Sequence, residues 1–412
     1  MKYPFRTEPY AHQMTALQKG WKKTEYGYFM EMGTGKSKVI VDTAAMLYDE
    51  GAITGLLIIA PKGVYRNWTR KELVEHMPKH ITTLVATWDA RLTKGVKAEI
   101  NSLFHPNTDL DILVMNIDAL ITKKGHMVAE KFLKGRSAMM VVDESTTIKN
   151  PGAKRTKATI KLGKLAKYRR ILTGSPITKS PLDVYSQCAF LNENLLGFAS
   201  FWTFRRRYAE MIMQDFGGRK FTQITGFKNV DELQTILREF TYRVTKAECL
   251  DLPPKIYMRR EFDMTPEQSK VYREMKAAAL AFLEGEAVSA TSVITQLLRL
   301  HQISCGSFPT DDGPILPLKH DRIKELLAVL SEADGKVIIW ANYRYDIFAI
   351  KEALDKEYGK SATVTYFGDT SNEDRSSAVD LFQDPASPVS FFLGNTQTGG
   401  YGITLTEATT VV

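Results

Sequence analysis

Short apolar runs separated by longer amphipathic stretches recur along the sequence. The first series is GYFMEM, GLLIIA, DILVMN, SAMMVV and RRILT, and a later one is KVIIW, ATVTYF, SFFLGN and the terminal TTVV. Each run is followed by a polar or Gly-containing turn and then by apolar residues at helical spacing. This alternation predicts parallel sheets flanked by helices, and therefore an α/β fold with two lobes.

The length of the chain and the spacing of these runs predict where the lobes begin and end. A chain of 412 residues is longer than one ordinary domain. We expect an N-terminal lobe over residues 1–250, a proline-containing linker over 251–265 and a C-terminal lobe over 266–412. Few strand-like runs occur at about 191–250 and 266–318, which we expect to be helical insertions into the two lobes.

Composition excludes several classes of protein. With 44% hydrophobic and 25% charged residues, the chain belongs among soluble globular proteins. No apolar stretch approaches the roughly 20 residues that cross a bilayer, and no secretory signal opens the sequence, so we expect a cytoplasmic protein without membrane contact. Cys188, Cys249 and Cys305 are too widely spaced for a zinc site or disulfide framework. The net charge of +8 mildly favours polyanionic partners.

The pentapeptide GTGKS lies between a strand-like run and a helix-like segment, as phosphate-binding loops do. Glycines let backbone N–H groups point inward, Lys36 can reach the β and γ phosphates, and the Ser37 hydroxyl can ligate Mg²⁺. The longer Walker A pattern is incomplete because a methionine occupies its first glycine position. A structural glycine turn is the alternative interpretation. We predict that Gly33, Thr34, Gly35, Lys36 and Ser37 bind the phosphates of a nucleotide.

Two adjacent carboxylates end the run SAMMVV, at Asp143 and Glu144. A solvated turn would explain them, but a carboxylate at the end of a neighbouring parallel strand would lie beside the phosphate loop. Asp143 would then hold Mg²⁺ together with Ser37. Glu144 would orient or deprotonate the water that attacks the γ phosphate. The sequence thus predicts an ATP-hydrolysing site with Lys36, Asp143 and Glu144 as catalytic residues.

Motifs along nearly the whole chain resemble those of superfamily-two helicases, and among them the Swi/Snf-like double-stranded DNA translocases. PYAHQ resembles the family's adenine motif, EMGTGKS its phosphate loop, IIAPKGVYRNW its first DNA-contact motif and VVDESTTIKN its Asp-Glu box. LTGSPIT resembles the coupling motif, and GDTSNEDRSSAVDLFQ and NTQTGGYGITLTEATTVV resemble motifs of the second lobe. The order of the motifs also agrees.

This resemblance implies a fold and further site residues. The fold is expected to contain two RecA-like lobes that close on ATP and step along duplex DNA as a monomer. Adenine contacts are implied for Tyr10 and Gln13, and coupling of ATP to DNA for Thr173, Gly174 and Ser175. The residues implied to contact DNA phosphates are Lys62, Asn116, Thr398, Gly400 and Gly402.

The sequence departs from the family pattern in two places. Ser145 and Thr146 replace the Ala-His that follows Asp-Glu, so hydroxyl hydrogen bonds would have to take over any role of that histidine. The chain also stops at Val412, before the arginine-rich motif of the family, and we expect a truncated second lobe. Because an arginine finger contributes roughly 10³ to 10⁵ in rate, turnover by this chain is an open question.

Two other functions remain open from the sequence. One is a DNA or RNA helicase of the same superfamily that separates strands. The other is an ATP-dependent DNA-binding clamp with little turnover. The lack of a recognisable extra domain favours a minimal motor of bacterial or viral type.

Overall fold

A computed structural model divides the chain into two compact units, Met1–Pro254 and Lys255–Val412. The division falls within the stretch that we expected to be a linker. The residues described are 3–105, 109–216, 219–251, 253–285, 290–309, 315–399, 403 and 405–412. In this part of the chain, no helix is long and apolar enough to cross a membrane.

The first unit contains a seven-stranded sheet in which every pair of neighbouring strands is parallel. The strand order is β3-β4-β2-β5-β6-β1-β9, and β7 and β8 form a separate antiparallel hairpin. The strands of this unit are β1 (Glu25–Met30), β2 (Gly55–Ala60), β3 (Thr83–Thr87), β4 (Leu110–Asn116), β5 (Ala138–Asp143), β6 (Tyr168–Leu172), β7 (Ala209–Phe216), β8 (Arg219–Phe227) and β9 (Thr241–Val244).

Helices connect these strands. The α-helices are α1 (Ala11–Gly20), α2 (Lys36–Asp49), α3 (Tyr65–Asn67), α4 (Leu73–His76), α5 (Lys94–Ser102), α6 (Lys123–Lys134), α7 (Lys154–Gly163), α8 (Val184–Leu191), α9 (Phe201–Tyr208), α10 (Val230–Phe240) and α11 (Lys246–Cys249). Three 3₁₀ turns cover Ile117–Ile121, Ser145–Ile148 and Pro181–Asp183. A single π-helical turn, Trp68–Glu72, joins α3 to α4.

Alternate residues of the central strands build a core on each face of the sheet. Leu57 and Ile59 of β2 belong to one buried cluster, whereas Leu56, Ile58 and Ala60 belong to the other. The side chains of a strand point to opposite faces in turn, so helices on both faces are needed to cover them. This explains why GLLIIA is an uninterrupted apolar run.

The prediction of a helical insertion at about 191–250 is wrong in part. Helices α9 and α10 are present, but β7 and β8 form a hairpin between them, and β9 is an edge strand of the main sheet paired with β1. The hairpin strands contain β-branched and aromatic residues, such as Phe221, Ile224 and Thr225, which are enriched in strands.

The second unit contains a parallel four-stranded sheet with the order β13-β14-β12-β15. All four runs predicted from the later series form its strands. The elements of this unit are α12 (Pro266–Gly285), α13 (Ala290–Ser304), β10 (Ser307–Pro309), β11 (Ile315–Pro317), α14 (Arg322–Glu332), β12 (Lys336–Trp340), α15 (Arg344–Tyr358), β13 (Thr363–Tyr366), α16 (Asn372–Gln383), β14 (Phe391–Gly394), α17 (Thr396–Gly399) and β15 (Ala408–Val411). The expected insertion at 266–318 thus contains two helices and, beyond them, the antiparallel pair β10 and β11.

Candidate nucleotide site

The phosphate loop connects β1 to α2 and requires glycine at two positions. Gly33 and Gly35 have φ angles of 83° and 82°, in the left-handed region that favours glycine. A Cβ atom at Gly35 would lie 2.1 Å from Nε2 of Gln13, so a larger residue would also displace this side chain. The N-terminus of α2 begins directly after this glycine, with Lys36.

The N-terminal end of α1 holds the loop from one side. The carbonyl oxygen of Thr34, a buried residue, lies 2.8 Å from Nε2 of His12 and accepts a hydrogen bond from Nε2 of Gln13 at 3.1 Å. Oε1 of Gln13 accepts from the backbone N–H of Tyr10 at 3.0 Å. The Tyr10 ring is exposed and stacks on His12. Tyr10 and Gln13 therefore lie beside the phosphate loop, and His12 is a contact that sequence reasoning missed.

Lys36 is buried at the start of α2 and lies among carboxylates. Burial lowers the pKa of Lys36, while Glu144, Asp143 and Glu31 favour its charged form. These three carboxylates offset part of the cost of burying the ammonium. The lysine and the two box carboxylates form one electrostatic group.

Asp143 is the last residue of β5 and Glu144 follows it. We expected this strand to be the neighbour of β1, but it is not. Strand β6 lies between them, although all three strands end at the same edge of the sheet. The carboxylate of Asp143 accepts from Nε1 of Trp68 at 3.0 Å and from the backbone N–H of Glu144 at 3.0 Å. Burial raises the pKa of Asp143, and these hydrogen bonds together with Lys36 oppose the rise.

Glu144 has an unusual backbone conformation for a residue with a side chain. Its φ angle of 47° lies in the left-handed region, which is uncommon outside glycine and concentrates at functional sites. Burial raises the pKa of Glu144, and the negative charge of Asp143 adds to the rise. A carboxylate with a raised pKa accepts a proton from water more readily than an exposed glutamate does.

The predicted coupling residues follow β6 and lie between the box and the phosphate loop. The hydroxyl of buried Thr173 donates to Oε2 of Glu144 at 3.5 Å and accepts from the backbone N–H of Ser175 at 3.2 Å. A Cβ atom at Gly174 would lie 3.2 Å from the backbone nitrogen of Met32. A movement of the Glu144 side chain can therefore be transmitted through Thr173 to this loop.

Ser145, one of the two departures from the family pattern, bonds within the first unit. Its buried hydroxyl donates to Oε1 of Gln187 at 2.6 Å, and Nε2 of Gln187 donates to the carbonyl of Pro176 at 2.8 Å. The side chain of Gln187 thus joins the Asp-Glu box to the coupling loop. Ser145 stands at the position of the family's alanine and Thr146 at that of the histidine, so this bond does not test whether a hydroxyl takes over the role of the histidine. Gln187 was not foreseen.

The π-helical turn Trp68–Glu72 carries two further site residues. Trp68 is 2% exposed and holds Asp143, as described above, while the Ser37 hydroxyl hydrogen-bonds to the Glu72 carboxylate. The two predicted metal ligands are therefore held by one turn of the chain. Trp68 is the last residue of the motif IIAPKGVYRNW, so the sequence could have indicated it as a site residue. Glu72 lies beyond that motif.

The donor set fits Mg²⁺ bound together with a nucleotide. Within the described residues, no group of three or more His, Cys, Asp and Glu side chains is arranged to hold a metal ion. Mg²⁺ with a nucleotide needs no such group, since it takes one or two protein oxygens and phosphate oxygens. Ser37 and Asp143 supply two oxygen donors of this kind.

The predicted nucleic-acid contacts are only partly described. Lys62 is exposed in the turn after β2, and Asn116 ends the adjacent strand β4, where Oδ1 accepts from the backbone N–H of Ala119 at 3.0 Å. Asn116 thus also caps a 3₁₀ turn. Thr398 is half-buried in α17, and the predicted Gly400 and Gly402 lie outside the described residues.

Models of two families match the chain one after the other. The SNF2-related domain matches residues 28–308, and the helicase conserved C-terminal domain matches residues 318–412.

Curated relatives cover most of this chain. The Mus musculus DNA annealing helicase and endonuclease ZRANB3 is 25% identical over 93% of this chain and 33% of its own length. The Schizosaccharomyces pombe chromatin remodeling factor mit1 is 24% identical over 93% of this chain and 27% of its own length. This chain spans about a third of the length of such relatives.

Among solved structures, the Sulfolobus solfataricus SWI2/SNF2 ATPase core in complex with dsDNA is similar to this chain. The identity is 24% and the TM-score 0.49, over 100% of this chain and 82% of that one.

Proposed function

The chain belongs to the SNF2-related domain family, and we propose that it is a DNA-dependent ATPase that uses ATP hydrolysis to move along double-stranded DNA. One observation carries this proposal: Lys36, Asp143 and Glu144 interact electrostatically at one edge of a parallel sheet, behind a loop with two left-handed glycines. The names of its relatives, a DNA annealing helicase and a chromatin remodeling factor, support DNA as the partner.

Each residue of the site has a defined task in hydrolysis. The ammonium of Lys36 would bind the terminal phosphates. Ser37 and Asp143 would hold Mg²⁺, which would neutralise charge on the phosphate oxygens. Glu144 orients the attacking water, and its carboxylate accepts the water's proton as the oxygen–phosphorus bond forms. The bond from the γ phosphorus to the bridging oxygen breaks, and ADP leaves with that oxygen. Catalysis in this class rests on positioning and electrostatics rather than on covalent chemistry.

Loss of the γ phosphate changes the surroundings of Glu144, and Thr173 carries that change into the coupling loop. The hydroxyl of Thr173 contacts both Glu144 and the backbone of exposed Ser175. We propose that Lys62, Asn116, Thr398, Gly400 and Gly402 hold DNA phosphates, which positions the protein without reading base sequence. DNA binding should weaken steeply as salt is raised.

Steady-state phosphate release by the 412-residue chain tests the proposal, measured with and without duplex DNA. We expect release that depends on DNA in the native chain. Glu144→Gln should lower it by about 10² to 10⁴, the contribution of a general base, while ATP affinity is retained.

The possible outcomes separate the candidate functions. Equal release with and without DNA would contradict a DNA-dependent ATPase. ATP binding that changes DNA affinity without any phosphate release would support the clamp instead.

A further inference from the structure

Lys246 lies beside the phosphate loop because of the strand order of the sheet. It follows β9, which pairs with β1 so that Val244 lies opposite Met30. The backbone N–H of Glu31 donates to the carbonyl of Val244 at 3.0 Å, and the backbone N–H of Lys246 donates to Oε2 of Glu31 at 2.8 Å. These two bonds fix the backbone of Lys246 against the first residue of the loop.

The side chain of Lys246 extends over the loop. From the position that a Cβ atom would take at Gly33, Cε of Lys246 is 3.3 Å away and Nζ is 3.6 Å away. Within the described part of the chain, the ammonium has no hydrogen bond or ion pair. It is close enough to the other loop cation, Lys36, for the two positive charges to repel each other.

Two ammonium groups that converge on one loop repel each other unless an anion lies between them. Glu31 offsets part of this charge, but its carboxylate is already bonded to the backbone of Lys246. The terminal phosphates of ATP carry several negative charges, and oxygen acceptors for both ammonium groups. A polyphosphate therefore matches the charge and the hydrogen-bond donors of these two lysines.

We propose that Lys246 is a second phosphate-binding lysine of the nucleotide site and binds the terminal phosphates together with Lys36. This inference rests on the proposed function, because it assigns a further ligand to the same nucleotide. It predicts that Lys246 discriminates ATP from nucleotides that lack the terminal phosphates.

Equilibrium binding of a fluorescent, non-hydrolysable ATP analogue tests this, with ADP and AMP as competitors in the presence of Mg²⁺. Lys246→Ala should weaken binding of the ATP analogue roughly 10- to 100-fold, as expected for loss of a hydrogen bond to a charged group. AMP affinity should not change, and Lys246→Arg should restore most of the loss. Lys228→Ala, which removes an exposed lysine elsewhere in the same unit, is the matched control.

Two results would overturn the inference. Native affinity for the ATP analogue in Lys246→Ala would show that the lysine does not bind phosphate. Equal losses for ATP analogue and AMP, unrelieved by arginine, would show that it only shapes the loop. The variant Lys36→Ala separates this failure from failure of the proposed function. If Lys36→Ala abolishes ATP binding and Lys246→Ala does not, the nucleotide site is supported. Only the role proposed for Lys246 would then be wrong.

Discussion

Lys38 and Asp42, one turn apart on α2, form a buried ion pair next to the nucleotide site. Nζ of Lys38 donates to Oδ2 of Asp42 at 2.7 Å and to the carbonyl of Thr7 at 2.7 Å, and it lies 5.4 Å from the centre of the Phe5 ring. The pair therefore ties the phosphate-binding helix to the segment that leads into Tyr10. Burying these two charges costs free energy that their mutual attraction offsets only in part.

The pair makes stability depend on pH in a defined direction. Burial raises the pKa of Asp42 to about 6, although Lys38 opposes the rise. The folded protein thus holds this proton more tightly than the unfolded chain, so the contribution of Asp42 to stability falls as pH rises from about 4 to about 6. Relative to Asp42→Asn, the native chain should lose about 3 kcal/mol of unfolding free energy over this range.

Urea unfolding of both proteins between pH 4 and pH 8 measures this difference. Only the pH dependence is predicted, because Asp42→Asn also leaves Lys38 without a charged partner. Asp118→Asn, at an exposed carboxylate, should give a curve parallel to that of the native chain. Parallel curves for Asp42→Asn as well would contradict the account.

The π-helical turn Trp68–Glu72 should affect the Mg²⁺ requirement of the protein, because Trp68 holds Asp143. Trp68→Phe keeps an aromatic ring but removes the indole N–H that holds Asp143. Loss of a group that orients a metal ligand costs 10- to 100-fold in metal affinity. We therefore expect the Mg²⁺ concentration for half-maximal phosphate release to rise at least about 10-fold.

A tryptophan on the opposite face of the sheet provides the control for this experiment. Trp88 is 3% exposed and belongs to the other buried cluster, so Trp88→Phe should leave the Mg²⁺ requirement unchanged. Equal shifts in the two variants would mean that general loosening of the fold, and not Asp143, is responsible.

The strands that were predicted and those that were missed differ in their position in the sheet. Strands β2, β4 and β5 lie inside the sheet and are buried almost throughout, so they read as apolar runs. Strands β3 and β9 are its two edges, and their half-exposed sequences TLVAT and TYRV carry no such run. An edge strand can keep polar side chains because less of its surface is covered.

At the scale of the whole molecule, local motifs could be predicted but contacts set by strand order could not. Lys36 and Glu144 belong to motifs of five to ten residues, and such a motif is enough to predict the role of the residue. His12, Glu72 and Lys246 reach the site from α1, the π-helical turn and the segment after β9, which are separate parts of the chain. Missing β9 therefore also meant missing Lys246.

Several predictions about the whole molecule are not tested by the fold. Contacts to DNA phosphates, monomeric action and a cytoplasmic location remain predictions from the sequence. The order of the two matched family models agrees with the order of the two parallel sheets along the chain. Movement along double-stranded DNA is the claim that most needs a test.

Displacement of a labelled third strand from a DNA duplex tests this claim most directly, because a translocase pushes the third strand off while leaving the duplex paired. We predict displacement by the native chain with ATP, and none with ADP or with Glu144→Gln. ATP-driven separation of the duplex strands without third-strand displacement would identify a strand-separating helicase and contradict the account. Phosphate release that DNA stimulates but that displaces nothing would contradict it as well.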